Sequence, residues 1–311
     1  MSGFFGIDTS NYTTSAAFYD GGKIIQKKML LPVKEGQLGL RQSDAVFHHV
    51  QQLPLVTEPL LSGIQPEAVG VSARPRDQEG SYMPCFTVGL GMAKILARAW
   101  GVPCYSFSHQ AGHIAAALYS AGKLDLLDQR FLAFHVSGGT TEAVLVKPDP
   151  DHVVHAEIVA SSLDLKGGQA VDRVGVMLGL KFPAGRELEQ LALKSGQEYK
   201  IKPSMKGPDC SLSGIENKCQ KMLQEGVPGE DVARYCLSAI LAALDAMCGI
   251  LLETYGDLPV LFAGGVMSNS ILRKALSEKY GAIFAQPEFS SDNAAGAAVL
   301  ASVAAHREGL S

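Results

Sequence analysis

The stretch RFLAFHVSGGTTEAVLVKPDPDHVVHAEIVA (Arg130–Ala160) decides the fold class. It reads as an apolar strand, a small polar turn over Ser137–Thr141, a second strand, an Asp/Pro turn and a third strand. The same plan stands near the start, in FFGIDTSNYTTSAAFYDGGKIIQKKML (Phe4–Leu30), where the hairpin turn falls at Gly21–Gly22. Two copies of one supersecondary plan predict two similar lobes. Between the copies lie helical patterns around Ser43–Leu61 and Thr87–Trp100, and after the second copy further ones at Ala170–Leu180 and Asp231–Thr254. A buried strand, LPVLFAGG (Leu258–Gly265), precedes a helix NSILRKALSEKYG (Asn269–Gly281) and a small-residue-rich helical end, SSDNAAGAAVLASVAAHREG (Ser290–Gly309). The alternation of strands and helices makes the chain α/β.

Length and composition bound the rest. The 311 residues allow two ordinary domains or one large one, and 47% hydrophobic with 19% charged residues is the balance of a soluble globular chain. A net charge of −4 leaves a nucleic-acid partner dependent on a local basic patch. YKIKPSMKG (Lys200, Lys202, Lys206) and Arg273/Lys274 are candidates, and each reads equally well as a solvated face. The six cysteines form no C-x-x-C pair, which argues against a zinc ribbon, a thioredoxin-like site or a disulfide scaffold. The N-terminus lacks a basic region before its apolar residues, so it does not read as a signal peptide. LSAILAALDAMCGILLETYG (Leu237–Gly256) carries Asp245 and Gly249 and reads as a buried helix rather than a membrane span. A reduced, cytoplasmic protein without a membrane partner is expected.

Three glycine turns follow apolar segments: FHVSGGTTEA, LKGGQAVDRVG and LFAGGVMSNS. Glycine lets a backbone approach a ligand, and a helix N-terminus offers N–H groups to an anion, so the three together predict a phosphate site in a cleft between the lobes. None has the spacing of a P-loop or of a dinucleotide fingerprint. Asp8 ends the first strand, where a carboxylate is often merely solvated. Asp292 precedes the last helix, where it reads as an N-cap or as an oxygen ligand to a metal. SHQAGH (Ser108–His113) puts His109 and His113 one helical turn apart, as two ligands of one metal or by coincidence. Gly112 between them costs a helix roughly 1 kcal/mol against alanine and hints at a close approach.

Taken together these residues resemble the tRNA N6-threonylcarbamoyladenosine transferase family, TsaD in bacteria, formerly classed as glycoproteases. GIDTS (Gly6–Ser10) resembles the family's opening strand, SHQAGH its H-x-x-G-H metal helix, and VSGGTT (Val136–Thr141) its V-S-G-G-H-T turn. GQAVDRVGVMLGLKFPAG (Gly168–Gly185), SLSGIENKC (Ser211–Cys219), AGGVMSNSILR (Ala263–Arg273) and SSDNAA (Ser290–Ala295) follow in the family's order.

The resemblance implies an actin-like ATPase fold, with two ribonuclease-H-like lobes around a central cleft. The lobes would be residues 1–125, completed by a C-terminal helix at 293–311, and residues 126–292. It implies one divalent metal, iron or zinc, on His109, His113 and Asp292, with Asp8 and Asp292 as catalytic residues. An adenine nucleotide, threonylcarbamoyl-AMP or ATP, would lie against Val136, Ser137, Gly138, Gly139 and Thr140, with Asp172, Gly185 and Asn269 on the nucleoside side. The implied activity is transfer of threonylcarbamoyl from its adenylate to N6 of the tRNA adenosine beside the anticodon, with tRNA and the family's partner proteins as partners. The sequence departs from the family at Tyr12 and Thr13, where two acids are expected, at Ala111 in place of a glutamate, at Thr140 in place of a histidine, and in the longer SARPRDQEGSYMP (Ser72–Pro84). Those departures keep open a paralogue that binds metal and nucleotide in a regulatory or assembly role, or another carbamoyl or phosphoryl transferase of the same fold.

Overall fold

In FFGID both faces of the strand are covered: Phe5 and Ile7 are fully buried and Phe4 nearly so, which explains a near-continuous apolar run in place of alternation. The computed structural model describes residues 2–10, 12–32, 40–290 and 294–309. In chain order its elements are β1 (Ser2–Asp8), β2 (Thr13–Tyr19), β3 (Ile24–Leu30), α1 (Gln42–Leu61), β4 (Gln65–Arg74), α2 (Phe86–Trp100), β5 (Cys104–Ser108) and α3 (His109–Ala121). Then follow β6 (Phe131–Val136), β7 (Thr141–Asp149), β8 (Val153–Ser161), α4 (Gly167–Met177), α5 (Gly185–Ala192), β9 (Ser204–Lys206), β10 (Asp209–Ser211) and α6 (Ser213–Gln224). The last are α7 (Gly229–Tyr255), β11 (Val260–Ala263), α8 (Ser270–Tyr280), β12 (Ile283–Phe284) and α9 (Ala295–Arg307).

The chain divides into two units, one of Met1–Gln129, Val146–Glu157 and Glu288–Ser311, the other of Arg130–Leu145 and Ile158–Pro287. The first sheet has the order β3-β2-β1-β4-β5, with β1–β2 and β2–β3 antiparallel and β1–β4 and β4–β5 parallel. Read from its far end, the second has the order β8-β7-β6-β11-β12, with β11 parallel to both β6 and β12. Position for position this is one plan used twice, the duplication expected from the two quoted stretches.

Register explains how the second sheet packs. Phe134 of β6 lies beside Phe262 of β11, which lies beside Phe284 of β12. Their rings stack at centroid separations of 4.7 and 5.4 Å, a row of cross-strand pairs. α7 is long and apolar enough to cross a membrane by length and composition, yet it serves this unit as a core helix. Val232, Cys236, Leu237, Ile240, Leu244, Met247 and Leu251 recur at helical spacing and are all buried. Burying a side chain of the size of leucine or isoleucine is worth about 1.5–3 kcal/mol, so α7 anchors the unit.

In the first unit the small-residue helix α9 packs against α3, β1 and β4. The close approach hinted at by Gly112 is real, but the position that demands glycine is Gly296: a Cβ there would lie 1.8 Å from the Gly112 carbonyl oxygen. A second difference concerns α4, expected over Ala170–Leu180 and found over Gly167–Met177. Gly167 and Gly168, read as a turn, are its first residues, because tight packing rather than helix propensity selects them.

Candidate functional site

Four segments of the second unit, with Leu237 of α7, converge on one cavity of about 490 Å³. Gly138 enters from the β6–β7 turn, Gly168, Val171 and Asp172 from α4, Gly185, Arg186 and Glu189 from α5, and Ser268 and Asn269 from the approach to α8. The turn is closed on itself: the Ser137 amide donates to the Thr140 carbonyl at 2.8 Å and the Thr140 amide to Ser137 Oγ at 3.1 Å. Gly168 makes the convergence possible. A Cβ at that position would stand 2.6 Å from the Gly138 nitrogen, inside contact distance, so α4 docks directly on the turn.

The first amides of α4 are already used, Gly167 N–H by Thr141 Oγ1 at 2.8 Å and Gly168 N–H by the Ser137 carbonyl at 3.0 Å. The exposed backbone at Gly138 and Gly139 is therefore what the turn presents outward. Asp172 is held by the Ala184 amide, which donates to its Oδ1 at 2.8 Å. Asn269 caps α8, its Oδ1 accepting from the amides of Ile271 and Leu272 at 3.0 and 3.2 Å. That bonding leaves the amide nitrogen as the half of Asn269 suited to a ligand.

Of the expected nucleotide contacts, Gly138, Asp172, Gly185 and Asn269 line this cavity. Val136, the last residue of β6, is fully buried in the core beneath the turn. Ser137 and Thr140 shape the turn through the bonds just given, and Gly139 sits at its exposed tip.

Two further acids shape this region, one in the cavity lining and one beside the start of α4. Glu189, one helical turn after Gly185, lines the cavity and accepts the Ser270 amide at 2.8 Å and the Ser270 hydroxyl, tying α5 to the start of α8. Asp164 accepts from the amides of Leu165 and Leu212, at 2.6 and 2.7 Å, and from the Ser213 hydroxyl at 2.6 Å. It thereby clamps the approach to α4 onto the start of α6. Burial raises its pKa, but the hydrogen bonds from Ser213, Leu212 and Leu165 outweigh that and hold the carboxyl below its usual range. The i, i+4 spacing from Gly185 could have found Glu189; nothing in the sequence marks Asp164.

The first unit holds a different cluster. Ser108 ends β5 and N-caps α3, its Oγ accepting from Ala111 N–H at 3.0 Å, so His109 is the first residue of the helix and His113 lies one turn on. The two imidazoles meet edge to face with centroids 4.3 Å apart. Asp8, at the end of β1 and only 1% exposed, accepts from His109 Nδ1 at 2.8 Å and from the Ser10 amide at 2.9 Å. Burial pushes the Asp8 carboxyl up, but His109 beside it and the hydroxyls of Ser10 and Ser72 prevail, leaving it below the usual range.

With Nδ1–H directed at Asp8, neutral His109 carries its lone pair on Nε2, the arrangement in which a carboxylate orients a metal-binding imidazole. The donors present thus fit a borderline divalent metal. Asp292, the third expected ligand, lies outside the described residues, and among the described residues no group of three His, Cys, Asp or Glu side chains is arranged to hold a metal. Ala111, expected by family pattern to be an acid, is buried on α3, and Thr13 is buried on β2. Tyr12 is 44% exposed.

Solved structures of the same architecture include full-length HypF in its phosphate- and nucleotide-bound form, with TM-score 0.61 and 14% identity over 98% of this chain and 55% of that longer one. Component A of the Acidaminococcus fermentans (R)-2-hydroxyglutaryl-CoA dehydratase matches with TM-score 0.55 and 15% identity, over 97% of this chain and 98% of that one. At such identities the likeness shows the fold, the actin-like ATPase fold. Sequence relatives are nearer. The tRNA N6-adenosine threonylcarbamoyltransferase of Thermosipho africanus is 30% identical over 93% of this chain and 90% of its own length. That of Enterococcus faecalis is 30% identical over 85% of this chain and 77% of its own length. The family model for tRNA N6-adenosine threonylcarbamoyltransferase matches residues 37–299, a span holding every segment that builds the cavity as well as the histidine helix. With one sheet plan used twice, a cavity within the second unit and relatives matched along most of its length, the chain belongs to the tRNA N6-adenosine threonylcarbamoyltransferase family.

Proposed function

We propose that this protein transfers a threonylcarbamoyl group from threonylcarbamoyl-AMP to N6 of the tRNA adenosine beside the anticodon, in the cytoplasm and together with partner proteins of the family's kind. The observation that carries the reading is the 490 Å³ cavity, of the size of small-molecule sites generally. In it an uncharged glycine turn faces Asp172 and Glu189, a division suited to a ligand with a phosphate at one end and a polyhydroxyl nucleoside at the other. The exposed backbone at Gly138 and Gly139 would hold the phosphate of the departing AMP, where charge accumulates as the anhydride bond breaks. Asp172 and Glu189, each already oriented by a backbone donor, would accept from ribose or base donors. Asn269 would donate through its amide nitrogen.

His109, His113 and Asp292 would hold the iron or zinc, and such a metal supplies Lewis-acid polarisation of carbamoyl or phosphate oxygens. In this reading Asp8 is a positioning residue rather than an acid or base touching substrate. It is buried behind His109, and its carboxylate is spent on holding that ring. The test is reconstitution of the purified chain with threonylcarbamoyl-AMP, tRNA and the partner proteins of a bacterial relative, read by mass spectrometry of the digested tRNA. Formation of threonylcarbamoyladenosine that disappears in Asp172→Ala is the expected result. A chain that binds AMP with normal affinity and leaves tRNA unmodified is the outcome that defeats the transfer reading.

A further inference from the structure

A second cavity, of about 410 Å³, lies in the same unit and shares no lining residue with the first. One face of α7 forms its wall: Arg234, Ser238, Leu241, Ala242 and Asp245 fall at i, i+4, i+7, i+8 and i+11. Ala275, Leu276 and Lys279 of α8 stand across from it, and the segment Glu198–Ile201 closes the third side. That segment is pinned by Tyr199, which meets Tyr235 edge to face at 5.4 Å.

The charges of this cavity are unequally satisfied. Asp245 is taken twice over, by Lys279 Nζ at 2.6 and 2.8 Å and by the Tyr280 hydroxyl at 2.7 Å, so it is no partner for a second cation. Arg234, on the same helix face, has its Nε buried without a hydrogen-bond partner. An unpaired N–H in such a place costs on the order of 1–3 kcal/mol. Lys200 stands exposed in the lining, and Glu198 is likewise exposed. The remaining wall is apolar, with Leu241 and Ala242 facing Ala275 and the buried Leu276.

We propose that this cavity is a binding site for a small organic acid, its phosphate or carboxylate paired with Arg234 and Lys200 and its apolar body lying against Leu241, Ala242 and Ala275. A guanidinium presents parallel N–H donors to either oxyanion, which fits both head groups and sets Arg234 above Lys200 in importance. The site is independent of the transfer reaction and of any nucleotide in the first cavity.

The full chain is titrated by calorimetry with phenyl phosphate and with benzoate, each in the absence and presence of saturating AMP. The expected result is one site per chain whose affinity AMP does not change, weakened about tenfold or more by Arg234→Gln and about threefold by Lys200→Gln. The tighter of the two probes identifies the head group. Because Lys200 is exposed, its variant keeps the test valid if Arg234→Gln compromises folding. Affinity unchanged in Lys200→Gln and in folded Arg234→Gln, displacement of the probe by AMP, or no binding of either probe at millimolar concentration would each overturn the proposal.

Discussion

The turn after β1 and the turn after β6 occupy the same place in two copies of one sheet, yet they offer opposite chemistry. The first carries a buried carboxylate, Asp8, that fixes an imidazole at the start of α3. The second carries no charge, and its glycines expose backbone where α4 begins. A carboxylate with an oriented imidazole selects a cation, whereas exposed amide backbone beside a helix start selects an anion. One scaffold thus supplies complementary chemistries by changing a few residues at equivalent strand ends, which is how function is grafted on a fold.

The strongest way to break this comparison is at the histidine pair. Purified protein is expected to carry about one iron or zinc per chain, and His109→Ala to lose nearly all of it. Asp8→Asn, which keeps the ligands but weakens the orienting bond, should lower metal affinity by roughly 10–100-fold. Elemental analysis after dialysis measures both, and full retention of metal in His109→Ala would remove the first turn from any metal chemistry.

Acid should next separate the two regions. His49 on α1 is fully buried, and its Nδ1 faces Thr14 Oγ1 at 2.8 Å, on the strand that follows the first turn. Burial, opposed by Asp8 and aided by His48, lowers its pKa from 6.5 to about 4. The folded state therefore resists a proton that the unfolded chain binds. The stability contributed by neutral His49 is complete above pH 6.5 and is lost as pH falls toward 4, by about 2 kcal/mol at pH 5. Urea unfolding at pH 7.5 and pH 5 should show this extra loss in the wild type and not in His49→Gln.

The second turn is tested by Gly168→Ala, whose added methyl must displace the Gly138 turn. Overpacking of this kind costs roughly 1–3 kcal/mol, and it should appear as about tenfold weaker AMP binding, with metal content unchanged. The smallest effect is expected from Asn269→Ala, which removes the α8 cap and lowers stability by about 1 kcal/mol. Asn269→Asp, which keeps the cap but not the amide nitrogen, should restore stability and still bind AMP poorly. If both variants bind AMP normally, Asn269 serves the helix alone.

Much of this was legible in the chain itself. The two strand–turn–strand stretches predict the duplicated sheets because a strand buried on both faces has to be apolar throughout and its turn has to be small and polar. α1 and α2 were readable from periodicity, and α9 from its alanines. The start of α4 was not, since Gly167 and Gly168 are poor helix formers whose presence is explained only by the 2.6 Å approach to Gly138. The bonding of Glu189, whose place one turn after Gly185 was readable, and both the place and the bonding of Asp164 were hidden for a related reason. Each acts on groups remote in sequence, Ser270 in one case and Leu212 with Ser213 in the other, and side-chain identity alone does not announce a distant partner.

By itself, then, the sequence determined the repeated α/β plan, the glycine turn after β6 and the one-turn spacing of His109 and His113, all of which are local properties of residue type and period. Only the tertiary structure decided which atoms each group spends and which it keeps. It turns Asp8 toward His109 Nδ1, commits Asn269 Oδ1 to a helix cap, and buries Arg234 Nε without an acceptor. The physical reason is that hydrogen-bonding capacity is finite and is allotted between neighbours in space, so the chemistry left to a side chain is known only once those neighbours are in place.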